Sequence, residues 1–378
     1  MAFTSITKPS VGDATKKTAF ADAVINNLTD LNSRIGTGGA SSGIPNSSFE
    51  DDGDADGDPD SWTVTNHTPN ASGIIATSGA QAHGLNAWKV DYPASAAQGA
   101  TIQTNDYIAI SPDEIIYLAW KMKGTSATGA KHIVTLLWYT FNKTALAPTI
   151  IYSDTANPTE WTQCLSGAIS PSTAKFMKIK IQGSDTTVPS DTGSISFDNV
   201  RLVNGPADVY GNSVEFVGGG ASAYANVSAG VIWVEAIGAG GGGSTTTRGG
   251  GGGGEYAAGY FFASAATNYA LTSGAGVAPL NLGPDGGNSS FNSTTIIGIG
   301  GKGDNGTGGG IGGTGGTGEI TIDGGVGISN ADGGHGGAAA RGGGGGGGSD
   351  TAAPSVPGGG GNNQSSANSA HGMVRIWF

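Results

Sequence analysis

Carboxylates gather at one place in this chain: the run Asp52-Gly-Asp54-Ala-Asp56-Gly57-Asp58-Pro-Asp60 sets them at alternate positions. Alternating acids around a turn-permitting glycine are what an oxygen-ligated calcium loop uses, because the ion takes six to eight oxygen ligands from a short stretch of chain. Counted from Asp52, the twelfth position holds Thr63 where an EF-hand needs glutamate, and a strand-like segment follows, so an EF-hand is excluded. Two readings stay open: a cation held by Asp52, Asp54 and Asp56, or a solvated acidic turn.

A second chemistry is open to the aromatic residues. Flat rings stack on pyranose faces while amides and carboxylates bond the hydroxyls, which makes Trp120, Trp138 and Tyr139 candidates for sugar contact. Strand alternation lets only one of Trp138 and Tyr139 face outward, and a place in the core is the alternative for each. A third set lies between glycine runs: Thr246 and Arg248 in 244–248, Asn288 in 286–290, and Asn362 and Asn363 in 361–365. Held on rigid supports, these polar tips would offer hydrogen bonds to a glycan or an outer-membrane loop. No catalytic constellation stands out. The five histidines are dispersed, no His-Glu-x-x-His occurs, and Gly301-Lys302-Gly303 fails the phosphate-loop pattern. The expectation is a protein that is not an enzyme.

The elements that must position these residues divide the chain. Asp13 to Ile35 has the spacing of a helix, with Ser10 or Asp13 as N-cap, Gly36 just past its end, and Ala21, Val24, Leu28, Leu31 and Ile35 on a 3-4-3-4 seam. So short a helix is marginal alone, which predicts that residues 1–36 dock on a partner or pack against copies of themselves. Residues 37–43 are small and aperiodic, a linker. Over 44–204 short apolar runs alternate with turn clusters, at 102–110, 115–122, 132–141, 176–182 and 195–203, which predicts an all-β sandwich. Residues 205–217 are expected to link it to the last part, 218–378.

That last part is set apart by glycine. The chain of 378 residues holds 71, and most lie beyond position 217. Their spacing is not every third residue, so a collagen triple helix is excluded. Polyglycine in an extended three-fold conformation has no side chains between neighbours, so adjacent runs can exchange backbone hydrogen bonds directly. Entropy opposes this by about 0.5 to 1 kcal/mol per glycine relative to alanine. The apolar anchors 231–234, 260–262, 296–299, 320–322 and 373–378 favour order, with the first and last pairing to close a base. The expected fold class is mainly β: an N-terminal helix, a jelly-roll β-sandwich, then a glycine-rich β and polyglycine-II domain.

The formal net charge is −12, and 17 basic residues are scattered, which argues against nucleic acid as a partner. No apolar run is long enough to cross a bilayer, so no membrane insertion is expected. One cysteine, Cys164, excludes an intrachain disulfide framework, and Met1–Ser10 shows no secretory signal; synthesis in a reducing cytoplasm is the expectation.

Three stretches resemble known families. Asn46-Ser-Ser-Phe49-Glu50, Trp62, Tyr117-Leu-Ala-Trp120-Lys-Met-Lys123 and Ile195-Ser-Phe197-Asp198-Asn199-Val200-Arg201-Leu202 resemble the jelly-roll carbohydrate-binding modules of glycan-active proteins. That resemblance implies a structural calcium where first and last strands meet, with Glu50 and Asp198 in the matching positions. Val231 to Gly243, Gly249 to Ala257 and Gly372 to Phe378 look like the glycine-rich domains of phage tail-fibre and adhesin proteins. Thr7 to Asp13, Ile25-Asn-Asn-Leu28 and Leu31-Asn32 are similar to the leader helices of phage fibre-type proteins. Together they imply a virion fibre or spike subunit, made in the host cytoplasm. It would be a homotrimer attached to other virion proteins through its N-terminal helix, and it would bind a host-surface glycan or outer-membrane protein. A head fibre or capsid decoration protein and a polysaccharide-degrading tailspike are the alternatives.

Overall fold

A computed structural model describes residues 43–53, 58–65, 73–75, 86–92, 100–125, 132–155, 158–183, 193–226, 228–246, 249–280, 282–304, 309–329, 335–340, 357–361 and 368–378. The expected helix within 1–36 lies outside them, as does most of the 37–43 linker. The architecture is mainly β and multi-sheet.

The first half supplies β1 (Trp62–Thr65), β2 (Gly73–Ile75), β3 (Trp88–Tyr92), β4 (Thr101–Thr104), β5 (Ile108–Ala109), β6 (Ile115–Thr125), β7 (His132–Tyr139), β8 (Thr149–Asp154), β9 (Thr162–Ile169), β10 (Phe176–Gln182) and β11 (Gly193–Val203). They form two antiparallel sheets, β1-β4-β10-β7-β8 with β5 on β10, and β2-β3-β11-β6-β9. Period-two alternation builds the core between them: Met177, Ile179 and Ile181 of β10 point inward with Val134, Leu136 and Trp138 of β7, against Trp88, Trp120, Met122, Ile195 and Phe197 of the second sheet. The order is a sandwich, and neither sheet closes on itself.

A 3-10 turn, Pro206–Asp208, leads into the second half: β12 (Ser213–Val217), β13 (Gly220–Asn226), β14 (Gly230–Ile237), β15 (Tyr256–Ala263), β16 (Thr267–Ser273), β17 (Ser289–Phe291), β18 (Ile296–Gly298), β19 (Ile320–Ile322) and β20 (Met373–Trp377). Ser213–Val217, expected inside a linker, is instead a strand on β20, because Val214 and Phe216 alternate onto a core. The third sheet runs β12-β20-β14-β15-β19 and the fourth β13-β16-β17-β18. As the anchors predicted, the first and last pair: Trp233 stands opposite Trp377 and Ile237 opposite Met373.

The four sheets stack. One face of the third, with Trp233, Ile237, Tyr256, Ala258 and Ile320, packs on Tyr117, Ala119 and Leu165 of the second. Its other face, with Ile232, Val234, Ala236 and Ile376, packs on Tyr269, Leu271 and Phe291 of the fourth. Coverage on both faces explains why Val231–Ile237 is buried without interruption. Tyr117 meets Trp233 edge-on at 5.8 Å, and Tyr152 meets Tyr260 at 5.0 Å.

Beyond the strand ends of the third and fourth sheets, the glycine runs continue as a three-dimensional hydrogen-bond lattice. The run 250–255 is its centre. Gly250 and Gly253 donate to Ile328 and Gly325; Gly251 and Gly254 donate to Gly361 and Gly358; Gly252 and Glu255 donate to Lys302 and Ile299, all at 2.7 to 3.2 Å. Carbonyls of 250 and 253 accept from Gly310 and Gly313, those of 251 and 254 from Gly337 and Ala340, and those of 252 and 255 from Gly241 and Gly238. Every third residue therefore addresses the same neighbour, and one run is ringed by six. A strand bonds two neighbours in a plane; a chain with three residues per turn spreads its bonds around its axis. Glycine is obligatory at this spacing: a Cβ on Gly251 would stand 2.0 Å from the Gly241 carbonyl oxygen, and one on Gly254 1.9 Å from that of Gly238. The run Gly342–Gly348 lies outside the described residues.

Candidate functional site

Alternation on the first sheet turns one set of side chains away from the core: Thr63 and Thr65 of β1, Thr101 and Gln103 of β4, Phe176, Lys178, Lys180 and Gln182 of β10, and Ile133, Thr135, Leu137 and Tyr139 of β7. Cross-strand register gathers the aromatic members at one end. Phe176 lies opposite Tyr139 on one side and Ala109 of β5 on the other. Tyr107, just before β5, closes the group, edge-on to Tyr139 at 4.9 Å and to Phe176 at 6.1 Å.

Two ammonium groups complete this surface. Lys178 Nζ sits 4.5 Å from the centre of the Tyr107 ring and donates to the Asn105 carbonyl at 2.8 Å. Lys143 Nζ approaches the same ring at 4.7 Å. Cations over a ring face are held by its quadrupole. Lys143 belongs to the turn after β7, in which Lys143 N donates to the Thr140 carbonyl and Thr140 N to that of Thr144. Phe141, at the tip of that turn, is 76% exposed. Partial burial, and secondarily the Tyr107 hydroxyl, raise the Tyr139 phenol above its ordinary value, so it stays a neutral hydrogen-bonding group. Rings, a phenol, amides and ammonium groups on one open face can stack on sugar rings and bond their hydroxyls.

Of the three aromatic candidates read from the sequence, Tyr139 lies in this cluster, half-buried. Trp120 and Trp138 are corrected: both have no exposure. Trp120 packs edge-on to Tyr152 at 5.2 Å, and Trp138 Nε1 donates to Thr149 Oγ1 at 2.8 Å, because their places in the alternation point into the sandwich. Tyr107, Phe141, Lys143, Phe176 and Lys178 were not singled out. The signal for part of the group was the Phe-Met-Lys-Ile-Lys-Ile-Gln pattern of β10, which puts Phe176, Lys178 and Lys180 on one face.

The calcium candidates meet at a corner. Ser47 accepts from Val200 N at 2.7 Å, Phe49 packs on Trp62 at 5.3 Å, and Asn46, Phe49 and Asn199 all take left-handed backbone angles there. The Glu50 carboxylate accepts from Asn86 N at 3.2 Å, and the buried Asp198 carboxylate accepts from Asn199 N at 2.6 Å. Asp54 and Asp56 lie outside the described residues. Among the described residues no three His, Cys, Asp or Glu side chains form a group that could hold a metal ion. Of the polar tips, Thr246 is exposed with its backbone N–H on Ser244 Oγ, and Asn288 is exposed with Oδ1 accepting from Gly300 N at 2.9 Å. Arg248, Asn362 and Asn363 lie outside the described residues.

Among the described residues no helix is long and apolar enough to cross a membrane. No family model matches this chain, and no curated protein matches it. Solved structures share a β-sandwich with it at low identity. The enzymatically active domain of tailspike protein 4 from bacteriophage CBA120 is 14% identical, with a TM-score of 0.33, over 43% of this chain and 21% of that one. The C-terminal family 22 carbohydrate-binding module of a Clostridium thermocellum xylanase is 15% identical, with a TM-score of 0.30, over 43% and 95%. An arabinose-bound α-L-arabinofuranosidase is 15% identical, with a TM-score of 0.31, over 42% and 26%. The chain thus spans about a quarter or less of the tailspike and the arabinofuranosidase. The likeness is to sandwiches of tailspike, carbohydrate-binding and glycoside-hydrolase chains, not to a specific glycine-rich fibre architecture. The expectation of a protein that is not an enzyme is corrected here: catalytic chains stand among these neighbours beside binding modules, and the exclusion drawn from missing motifs does not stand.

Proposed function

We propose that this chain is a glycan-interacting fibre or spike subunit of a bacteriophage particle. The observation that carries the reading is the cluster of Tyr107, Tyr139 and Phe176 with Lys143 and Lys178 at the outward face of the first sheet, next to the turn whose tip holds the exposed Phe141. The jelly-roll order of the sandwich and a polyglycine-II packing of the glycine domain belong to this reading, as do a homotrimer, attachment through residues 1–36 and polar tips that meet the host surface. A phage particle suits the combination, since a rigid glycine lattice and a glycan-binding face together make a stiff projection that touches an envelope.

The test is co-sedimentation of the full chain with host envelope polysaccharide, with and without Phe141→Ala. Loss of the most exposed ring is expected to weaken retention by up to about tenfold, from a stacking contact of roughly 0.5 to 1.5 kcal/mol. Retention unchanged by the substitution would remove this surface from the reading. Oligosaccharide released in the same incubation would make the protein a polysaccharide-degrading spike; a head-fibre position would instead be seen by labelling the chain on whole particles.

A further inference from the structure

Resting on the glycan-interacting reading, the charge of the same surface narrows its ligand: we propose that it takes a saccharide bearing an anionic group, a ring carboxylate or a phosphate. The chain carries a formal net charge of −12, yet the outward positions of β1, β4, β7 and β10 hold no acidic residue, and their only charges are Lys178 and Lys180. Lys143 adds a third ammonium from the neighbouring turn, and Asp106, exposed beside Tyr107, is the acid nearest in sequence. A solvated face in so acidic a protein has no reason to exclude carboxylates; a face that must receive them does.

The lysines are also positioned. An ammonium has three donors, and Lys178 spends one on the Asn105 carbonyl at 2.8 Å while the Tyr107 ring steadies it at 4.5 Å, leaving donors free to point outward. Lys143 reaches the same ring from a residue held at φ 62, a left-handed angle uncommon outside glycine, within a turn fixed by Thr140 and Thr144. The two ammonium groups therefore share one ring, with Phe141 exposed two residues from Lys143. A saccharide lying over this cluster could present a carboxylate or phosphate substituent to either ammonium group. A neutral sugar would gain only the stacking.

The experiment measures binding of the full chain to immobilised polygalacturonate, phosphomannan and neutral mannan, at low and at physiological salt. Wild type is expected to bind one of the two anionic polymers at least about tenfold tighter than mannan, less so as salt rises. The double substitution Lys143→Gln and Lys178→Gln is expected to abolish that preference and leave mannan binding unchanged; Lys143→Gln alone, on an exposed side chain, serves if the pair unfolds. Which polymer is preferred tells carboxylate from phosphate. Equal binding of mannan and the anionic polymers, or a preference that survives the lysine substitutions, overturns the proposal. If Phe141→Ala still weakens binding to all three polymers, the glycan reading stands without it. If no polymer binds, both fall.

Discussion

Replacing Gly252 by alanine tests whether the lattice exists as described. The new Cβ would stand 1.9 Å from the Ile311 carbonyl oxygen and 2.4 Å from its carbon, where real Cβ contacts do not fall below 3.0 Å. Both neighbours are backbone, so no side chain can swing aside, and the runs must part by about an ångström. That motion stretches the bonds through this point, Gly252 N to Lys302 O, Gly241 N to Gly252 O and Lys302 N to Ile311 O, all 2.8 Å, beyond bonding distance. Two or three buried backbone groups left unpaired cost about 1 to 3 kcal/mol each, for a net loss of roughly 3 to 6 kcal/mol. Alanine's smaller unfolded-state entropy returns only about 0.4 to 1 kcal/mol. Two comparisons isolate the cause. Gly230 has nothing within 4 Å of a built Cβ and no left-handed angle, so Gly230→Ala should be neutral or slightly stabilising; Gly315, open but at φ 87, should lose about 1 to 2 kcal/mol from backbone strain alone. Urea unfolding followed by tryptophan fluorescence reads all three. Gly252→Ala falling within about 1 kcal/mol of Gly230→Ala would refute the six-neighbour packing.

Trp138→Ala should destabilise the sandwich by about 3 to 5 kcal/mol in denaturant, while Trp138→Phe keeps polysaccharide retention, separating a core role from a ligand role. Burial raises the Glu255 carboxyl above its ordinary value, against backbone bonds from Ile299 and Gly316 that lower it. A folded value above the unfolded one means a stabilising contribution present at low pH and lost as pH rises through the folded value, so Glu255→Gln should remove a loss of melting temperature that the wild type suffers as pH rises above the ordinary carboxylate range. If a cation is held by Glu50 and Asp198 or by the Asp52–Asp60 loop, excess chelator should lower the melting temperature of the sandwich; an unchanged curve would leave the acids a solvated turn.

The sequence made legible what periodicity controls. The 176–182 and 132–141 runs became β10 and β7 because alternating apolar residues bury one face, and Val231–Val234 found Met373–Phe378 because both were apolar islands in glycine. Of the fourth sheet only β18 was legible, from the 296–299 anchor. Gly220-Ala-Ser-Ala-Tyr-Ala-Asn226 carries only Tyr224 onto the core, and alanine and serine do not announce a strand. Nor was the choice between Trp138 and Tyr139, since alternation says that one faces out and only the partner sheet says which. Tyr107 and Lys143 escaped for a different reason: they meet across 36 residues through a turn and a two-residue strand, and no spacing along the chain encodes that.

Why the proposed glycan surface falls on the first sheet follows from the stacking. The second sheet turns Tyr117, Ala119 and Leu165 into the third, leaving only the part of its outer face with Lys89, Lys121 and Lys123 half-exposed, and the third is covered on both faces. The two ends of the stack remain, and they differ in chemistry. The outward residues of the fourth sheet include Ala221, Ala223 and Ala225 of β13 and Asn268, Ala270 and Thr272 of β16, small side chains with no ring to stack on a sugar and no charge to pair with one. The first sheet presents Tyr139, Phe176, Lys178 and Lys180 instead. The contacts that join the halves, Tyr117 on Trp233 and Tyr152 on Tyr260, then fix this face relative to the lattice. A polymer bound by the rings and lysines would thereby be held by the whole stack, since releasing the face from the glycine domain would require opening a buried aromatic interface rather than bending a linker.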